Sequence, residues 1–296
     1  MEKFSKFRDG ATGVAPFLPV KHTQAPSALS KVVLAPLAVV SWPLLVVYFF
    51  AYFLLFQWIP FVSTWYLQFI LKSLRLLYIN FSYEGEKRVS ARRCQQLRAK
   101  PGDVIISNFV SPLDAIVFAA RQPTTFVFPT TDGQFATAGV LAAASQALSS
   151  QAFSAKGKDI SSIASKAKSQ GTVIVLFVEG TASNGRGLLT LKDVNVTQFN
   201  EAKSPLNVFP AAVRYTPGTA ASPLPQTSMG YLWRLLNESW WYMCSVRVGS
   251  EPLRGEGITA ESMTRAICTV GRLRQLGDEL DLEAKQEFLK AYKEKR

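Results

Sequence analysis

Between Val32 and Leu71 the chain carries no charged residue, and most of residues 34–62 are Leu, Val, Phe, Tyr, Trp or Ala. The run exceeds the roughly 20 apolar residues that cross a bilayer, whereas a buried helix of a soluble protein seldom needs such uninterrupted apolar length. It reads as membrane attachment rather than as an unusual core. Polar and mixed residues precede it and no cleavage site follows a short apolar core, so it does not read as a secretory signal. Lys3, Lys6, Arg8, Lys21 and Lys31 lie before it, and Lys72, Arg75, Lys87, Arg88, Arg92 and Arg93 after it. Basic flanks face the cytosol. With both flanks basic and Pro43 and Pro60 interrupting the run, a re-entrant or hairpin insertion is favoured over a single crossing.

The rest of the chain divides around that run. Residues 1–31 are polar and rich in Gly and Pro, and are expected to lack regular structure. Membrane-embedded and interfacial helices are expected over 32–79, the last of them over 65–79. An α/β domain follows over 80–258, and a helical tail over 259–296. Short apolar runs alternate with helical periodicity, which predicts βαβ units and a mostly parallel sheet flanked by helices. Strands are expected over 104–107, 125–128, 172–177, 207–214 and 244–248. Helices are expected over 112–120, 134–149, 160–169, 260–276 and 281–292. The TVIVLF stretch at 172–177 is apolar on both alternating faces, as a covered central strand requires. Trp233, Trp240 and Trp241 suit a bilayer interface, with core packing as the alternative.

Lys and Arg outnumber Asp and Glu by 33 to 21, which fits an anionic membrane, anionic small substrates or nucleic acid. The sequence contains no RNP, zinc-finger or helix-turn-helix signature, so nucleic acid is not supported. Cys94, Cys244 and Cys268 share no metal-ligand spacing and read as reduced structural thiols. No metal site is expected.

Two segments follow strands directly, where open parallel sheets place their ligands. One is Asn108-Phe109-Val110-Ser111-Pro112-Leu113-Asp114. The other is Glu179-Gly180-Thr181-Ala182-Ser183-Asn184-Gly185-Arg186-Gly187. They resemble the glycerolipid acyltransferases, whose first motif is NHxxxxD and third EGTxSxG. A V-x-P-[IV]-x-[IV] motif is echoed by Val208, Pro210 and Val213, and a weak second motif at 152–156 sets Lys156 where the family has arginine. With its upstream apolar run and C-terminal helices, the chain looks most like the fungal lysophosphatidic acid:oleoyl-CoA acyltransferase group.

The resemblance implies acyl transfer from acyl-CoA, oleoyl-CoA among the donors, to a lysophospholipid such as lysophosphatidic acid, with no bound cofactor. It also implies a cytosol-facing domain on the endoplasmic reticulum membrane or a lipid droplet. Asn108, position 109 and Asp114 take the catalytic places. Ser111, Glu179, Gly180, Thr181, Ser183, Gly185, Arg186 and Lys156 take the substrate-binding ones, with Thr181, Ser183, Arg186 and backbone amides holding a phosphate.

The departure is Phe109, which stands where the family has its histidine and can neither accept nor deliver a proton. The chain's one histidine, His22, precedes the apolar run. Turnover is therefore expected to lack the titration near pH 6–7 that a catalytic histidine imposes, and Phe109→His to restore a base. The alternative function is a catalytically impaired relative that binds lipid or acyl-CoA at the membrane. Asp114 has a second reading too: Ser111-Pro112-Leu113-Asp114 spells a helix-capping box.

Overall fold

The structure is a computed structural model that describes residues 2–20, 28–56, 59–86, 91–149, 151–191, 194–201, 206–254 and 258–294. His22, Lys21, Lys87 and Arg88 lie outside them. In chain order the elements are α1 (Ala28–Ala51), α2 (Pro60–Ser73), β1 (Leu76–Tyr83), α3 (Ala91–Gln96), β2 (Val104–Ser107), α4 (Pro112–Arg121), β3 (Thr124–Pro129), β4 (Phe135–Ala138), α5 (Val140–Gln146), α6 (Ile160–Gln170), β5 (Val173–Phe177), β6 (Gly187–Leu188), α7 (Thr197–Asn200), β7 (Val208–Thr216), α8 (Ser228–Glu238), β8 (Tyr242–Val248), α9 (Ala260–Gly271), β9 (Arg274–Gln275) and α10 (Leu282–Lys293).

Seven strands form one mainly parallel sheet in the order β1-β8-β7-β2-β5-β3-β4, with β3/β4 and β7/β8 antiparallel. Central β5 is buried along its whole length, as its two-sided apolar pattern requires. One face of the sheet packs under α4, α5 and α8 around Ile116, Phe126 and Leu236. The other packs under α6 and α9 around Ile163, Ile174 and Ile267. The carboxyl ends of β2, β5 and β7 converge, so the segments after β2 and β5 sit side by side.

Three expected helices are shorter than their sequence patterns suggest. The helix expected over 134–149 is instead strand β4 followed by α5, because Gly133, at φ +69°, turns the chain back onto β3. The helix over 65–79 stops at Ser73, and β1 pairs with β8. The helix over 260–276 stops at Gly271, with Arg272 left-handed at φ 51°.

Residues 1–31 are expected to be irregular, but Glu2–Phe7 forms two short 3-10 turns across a kink at Phe4, and α1 begins at Ala28. Phe7 and Phe17 are buried against Phe288 of α10, with ring centroids 5.3 and 5.7 Å apart.

Helix α1 runs through Pro36 and Pro43 and continues as a π-helical turn, Tyr52–Phe56. Val32–Phe56 is, among the described residues, one helix long and apolar enough to cross a membrane. Helix α2 returns antiparallel to it. Tyr48 packs on Phe69, the Tyr52 and Ser63 hydroxyls are 3.0 Å apart, and Phe56 stacks on Tyr66. A stripe of Leu34, Ala38, Leu45 and Tyr52 is buried, while Val40, Val47, Phe50 and Leu54 point outward. Helix α1 packs beside α8, whose Trp233 is exposed, as are Trp240 and Trp241 just beyond it.

Candidate active site

The first segment leaves β2 with its side chains already engaged. Asn108 Nδ2 donates to the Val213 carbonyl at 3.1 Å and its Oδ1 accepts from the Val213 amide at 2.7 Å. It thus fastens the segment to β7. Ser111 caps α4 through the Leu113 amide, and its hydroxyl lies 2.8 Å from that of Tyr231, which donates to the Ala220 carbonyl. The capping-box reading of Asp114 is correct: its Oδ2 accepts from the amides of Val110 and Ser111 at 2.7 and 3.0 Å. Its Oδ1 accepts from the Tyr215 hydroxyl at 2.6 Å. Burial raises Asp114 to about 7 against these hydrogen bonds, and it raises Tyr215 well above the ordinary phenol range.

Phe109 does not face a ligand. Its fully buried ring stacks on Phe177 at 4.2 Å and meets Phe128 edge-on at 5.5 Å. Position 109 belongs to the core, and only its backbone serves the site.

The second segment is knitted inward as well. Glu179 Oε2 accepts from the Phe109 amide at 2.7 Å and Oε1 from the Leu189 amide at 2.9 Å, so one carboxylate staples both segments. Thr181 and Ser183, expected on a phosphate, are completely buried. Ser183 Oγ lies 3.4 Å from Glu179, and Thr181 Oγ1 accepts a 2.7 Å bond from Lys285. Lys285 comes from α10 and is fully buried. Its ammonium also donates to the Ala182 carbonyl at 2.6 Å. Desolvation lowers Lys285 to about 7 and raises Glu179 to about 7, and their mutual attraction opposes both shifts.

The amides of Gly185 and Arg186 are taken by Ser183 Oγ and Asn184 Oδ1. Asn184 Nδ2 in turn holds the carbonyls of Ala15 and Leu18, strapping the N-terminal segment across the loop. Gly180 and Gly185 supply left-handed turns, at φ +63° and +68°. Of the motif's side chains, that of Arg186 is exposed.

Arg186 lines a cavity of about 440 Å³ together with Val110, Gly185, Arg214, Tyr215, Arg272 and Arg274. The last two arginines arrive through β9, which pairs in parallel with β6 so that Gly187 faces Arg274. Any side chain at Gly187 would meet Leu276 at 2.7 Å and the Arg274 carbonyl at 3.0 Å, so that position needs glycine. Four guanidiniums around one cavity suit a phosphate, which they can bind with charge-assisted forks. Lys156 is exposed and does not line this cavity.

A second cavity of about 260 Å³ is apolar, formed by Phe49, Leu74, Pro112, Leu113, Ile116, Leu148, Tyr231 and Leu232 among others. Tyr215 lines the first cavity and Tyr231 the second, and both hydroxyls meet the capping box of Ser111 and Asp114. Among the described residues no cluster of His, Cys, Asp and Glu could hold a metal ion. Sequence reasoning missed Tyr215, Arg214, Arg272, Arg274 and Lys285; Arg214 and Tyr215 stand directly after Val213 of the V-x-P-[IV]-x-[IV] echo, but nothing local marks the others.

No family model matches the chain. A Schizosaccharomyces pombe protein, provisionally named a lysophosphatidic acid:oleoyl-CoA acyltransferase, is 29% identical over 93% of this chain and 93% of its own length. Lysophosphatidic acid:oleoyl-CoA acyltransferase 1 of Saccharomyces cerevisiae is 26% identical over 99% of this chain and 97% of its own. The chain is a homologue of these fungal acyltransferases. A solved 1-acyl-sn-glycerophosphate acyltransferase, PlsC from Thermotoga maritima, aligns with a TM-score of 0.46 at 13% identity, over 82% of this chain and 95% of that one. The match to the Saccharomyces cerevisiae chain takes in 99% of this one, so the elements that bring Arg272, Arg274 and Lys285 lie within that related length.

Proposed function

We propose that the protein transfers an acyl chain, oleoyl among those accepted, from acyl-CoA to the free hydroxyl of lysophosphatidic acid, giving phosphatidic acid. The observation that carries this reading is the meeting of the arginine-lined and apolar cavities at one buried polar network, beyond the carboxyl ends of β2, β5 and β7. The first cavity suits a phosphate and the second an acyl chain, which sets the reacting ester at the network between them. The names of the yeast relatives supply the substrate pair. Holding two reactants in register contributes on the order of 7–11 kcal/mol towards a barrier of this kind.

The outward face of the α1/α2 hairpin and the exposed indoles of Trp233, Trp240 and Trp241 suit a membrane surface. We assign that surface to the endoplasmic reticulum or a lipid droplet, with the domain in the cytosol. Asn80, Asn195 and Asn237 lie in Asn-x-Ser/Thr sequons. A glycosidase-sensitive mass shift of the native protein would contradict that orientation.

The core position of Phe109 favours one second reading, an inactive lipid-binding relative. Purified protein in detergent, given labelled oleoyl-CoA and a panel of lysophospholipids, separates the two. Labelled phosphatidic acid is the expected product, and binding without turnover would establish the second reading.

A further inference from the structure

We propose that Tyr215 and Asp114 form the proton relay of this acyl transfer, with Tyr215 meeting the acceptor hydroxyl and Asp114 receiving the proton. The inference rests on the acyltransferase reading above and supplies the base which that reading lacks.

Three observations lead to it. The ring of Phe109 is enclosed by Phe177 and Phe128, so the position of the absent imidazole is not part of the site. The oxygen of Asp114 left over from the helix cap is bound by a phenol 101 residues further on, at 2.6 Å. That same tyrosine lines the cavity that carries Arg186, Arg214, Arg272 and Arg274. An acceptor whose phosphate is held by these arginines therefore has Tyr215 in the wall beside it.

Two amides hold the other oxygen of Asp114, which fixes the carboxylate as a directed acceptor. The remaining titratable groups around the pair are Tyr231 from α8, Cys244 from β8 and Glu179 after β5. Burial keeps the resting proton on Tyr215 and leaves Asp114, raised to about 7, basic enough to take it.

The step balances without a further reagent. The acceptor oxygen attacks the thioester carbonyl and forms the C–O bond. Its proton passes to Tyr215 Oη as the phenol proton passes to Asp114 Oδ1. The tetrahedral adduct then expels the CoA sulfur by breaking the C–S bond, and the proton returns from Asp114 through Tyr215 to give the thiol. No free phenolate has to form.

Tyr215→Phe removes one oxygen and leaves the cap of α4 and the ring packing in place. Its kcat is expected to fall by about 10²–10⁴-fold, the usual worth of positioned acid–base catalysis, with the KM for lysophosphatidic acid little changed. The double variant Tyr215→Phe, Asp114→Asn is expected to lose no more turnover than the worse single variant, because the two act as one unit. Wild-type kcat in Tyr215→Phe, or a loss confined to KM, would overturn the relay while leaving the acyltransferase reading intact. A wild-type protein inert towards every acyl-CoA and lysophospholipid would overturn both. If Tyr215→Phe fails to fold, 3-fluorotyrosine placed at position 215 keeps the shape and acidifies the phenol. An unchanged kcat and pH profile there would sink the relay equally.

Discussion

Asp114 and Glu179 are both fully buried carboxyls, each placed just beyond a parallel strand, and desolvation raises both to about 7. Their neighbourhoods differ. Glu179 gives one oxygen to Phe109 and the other to Leu189, and has the cation of Lys285 in its field. Asp114 is held by two amides of its own capping box and by one phenol, and among the described residues no cation is bonded to it. A carboxylate divided between two distant amides and backed by a buried ammonium is a staple. A carboxylate that turns its remaining oxygen to a titratable hydroxyl beside a cavity is placed for proton transfer. Two motif acids of the same burial thus do different work, and the difference lies in the partners that distant elements bring.

The largest expected effect tests the staple. Lys285→Met leaves Glu179 without its cation and the Thr181 hydroxyl and Ala182 carbonyl without their donor. It is expected to lower stability by about 3 kcal/mol in denaturant unfolding. An unchanged midpoint would mean that the loop holds itself.

Next comes Phe109→His. It sets a polar ring in an aromatic stack and is expected to cost about 2 kcal/mol, with no gain in turnover. The sequence reading expected that substitution to restore a base; the burial of position 109 reverses the expectation. Raised activity would show that the ring reaches Asp114 after all.

A smaller effect compares the cations. Removing one charge-assisted contact in Arg274→Ala is expected to weaken lysophosphatidic acid binding about tenfold, while Lys156→Ala leaves it unchanged. The opposite ranking in a binding titration would return the second motif to the site.

The smallest effects are in pH. The relay needs ionised Asp114, so turnover is expected to rise as pH increases through about 7. On this relay the buried aspartate gives the limb that a histidine would give. Stability moves the other way over the same range. Asp114 is raised from 3.8 to about 7, so the folded protein keeps a proton that the unfolded chain has already released. Unfolding grows easier as pH rises between those values. From about 7 to 9 the sign reverses, because folded Lys285 is neutral while unfolded lysine is still protonated; above 9 the thiols of Cys244 and Cys268, which burial holds protonated, turn it back. Melting temperatures of the wild type should pass a minimum near neutrality, and Lys285→Met should lose the alkaline rise.

The sequence by itself determined whatever depends on neighbours in the chain. The apolar run and its basic flanks, the two-sided burial of β5, the placing of two motif segments after strands and the Ser111–Asp114 capping box are local patterns. Each is fixed by periodicity or by hydrogen bonds spanning a few residues. The Asp132-Gly133 pair, which turns β3 into β4 just before the expected 134–149 helix, is a local turn signal as well. Only the tertiary structure decided that Leu76–Tyr83 is a strand and not the end of the apolar helix before it, since it pairs with β8. It alone joined Tyr215 to Asp114 and Lys285 to Thr181, pairs 101 and 104 residues apart. It alone brought Arg272 and Arg274 beside Arg186 through the β6/β9 pairing. Such contacts follow from strand order and helix docking, which no window of the sequence contains, and so the scaffold was readable while the groups that complete its site were not.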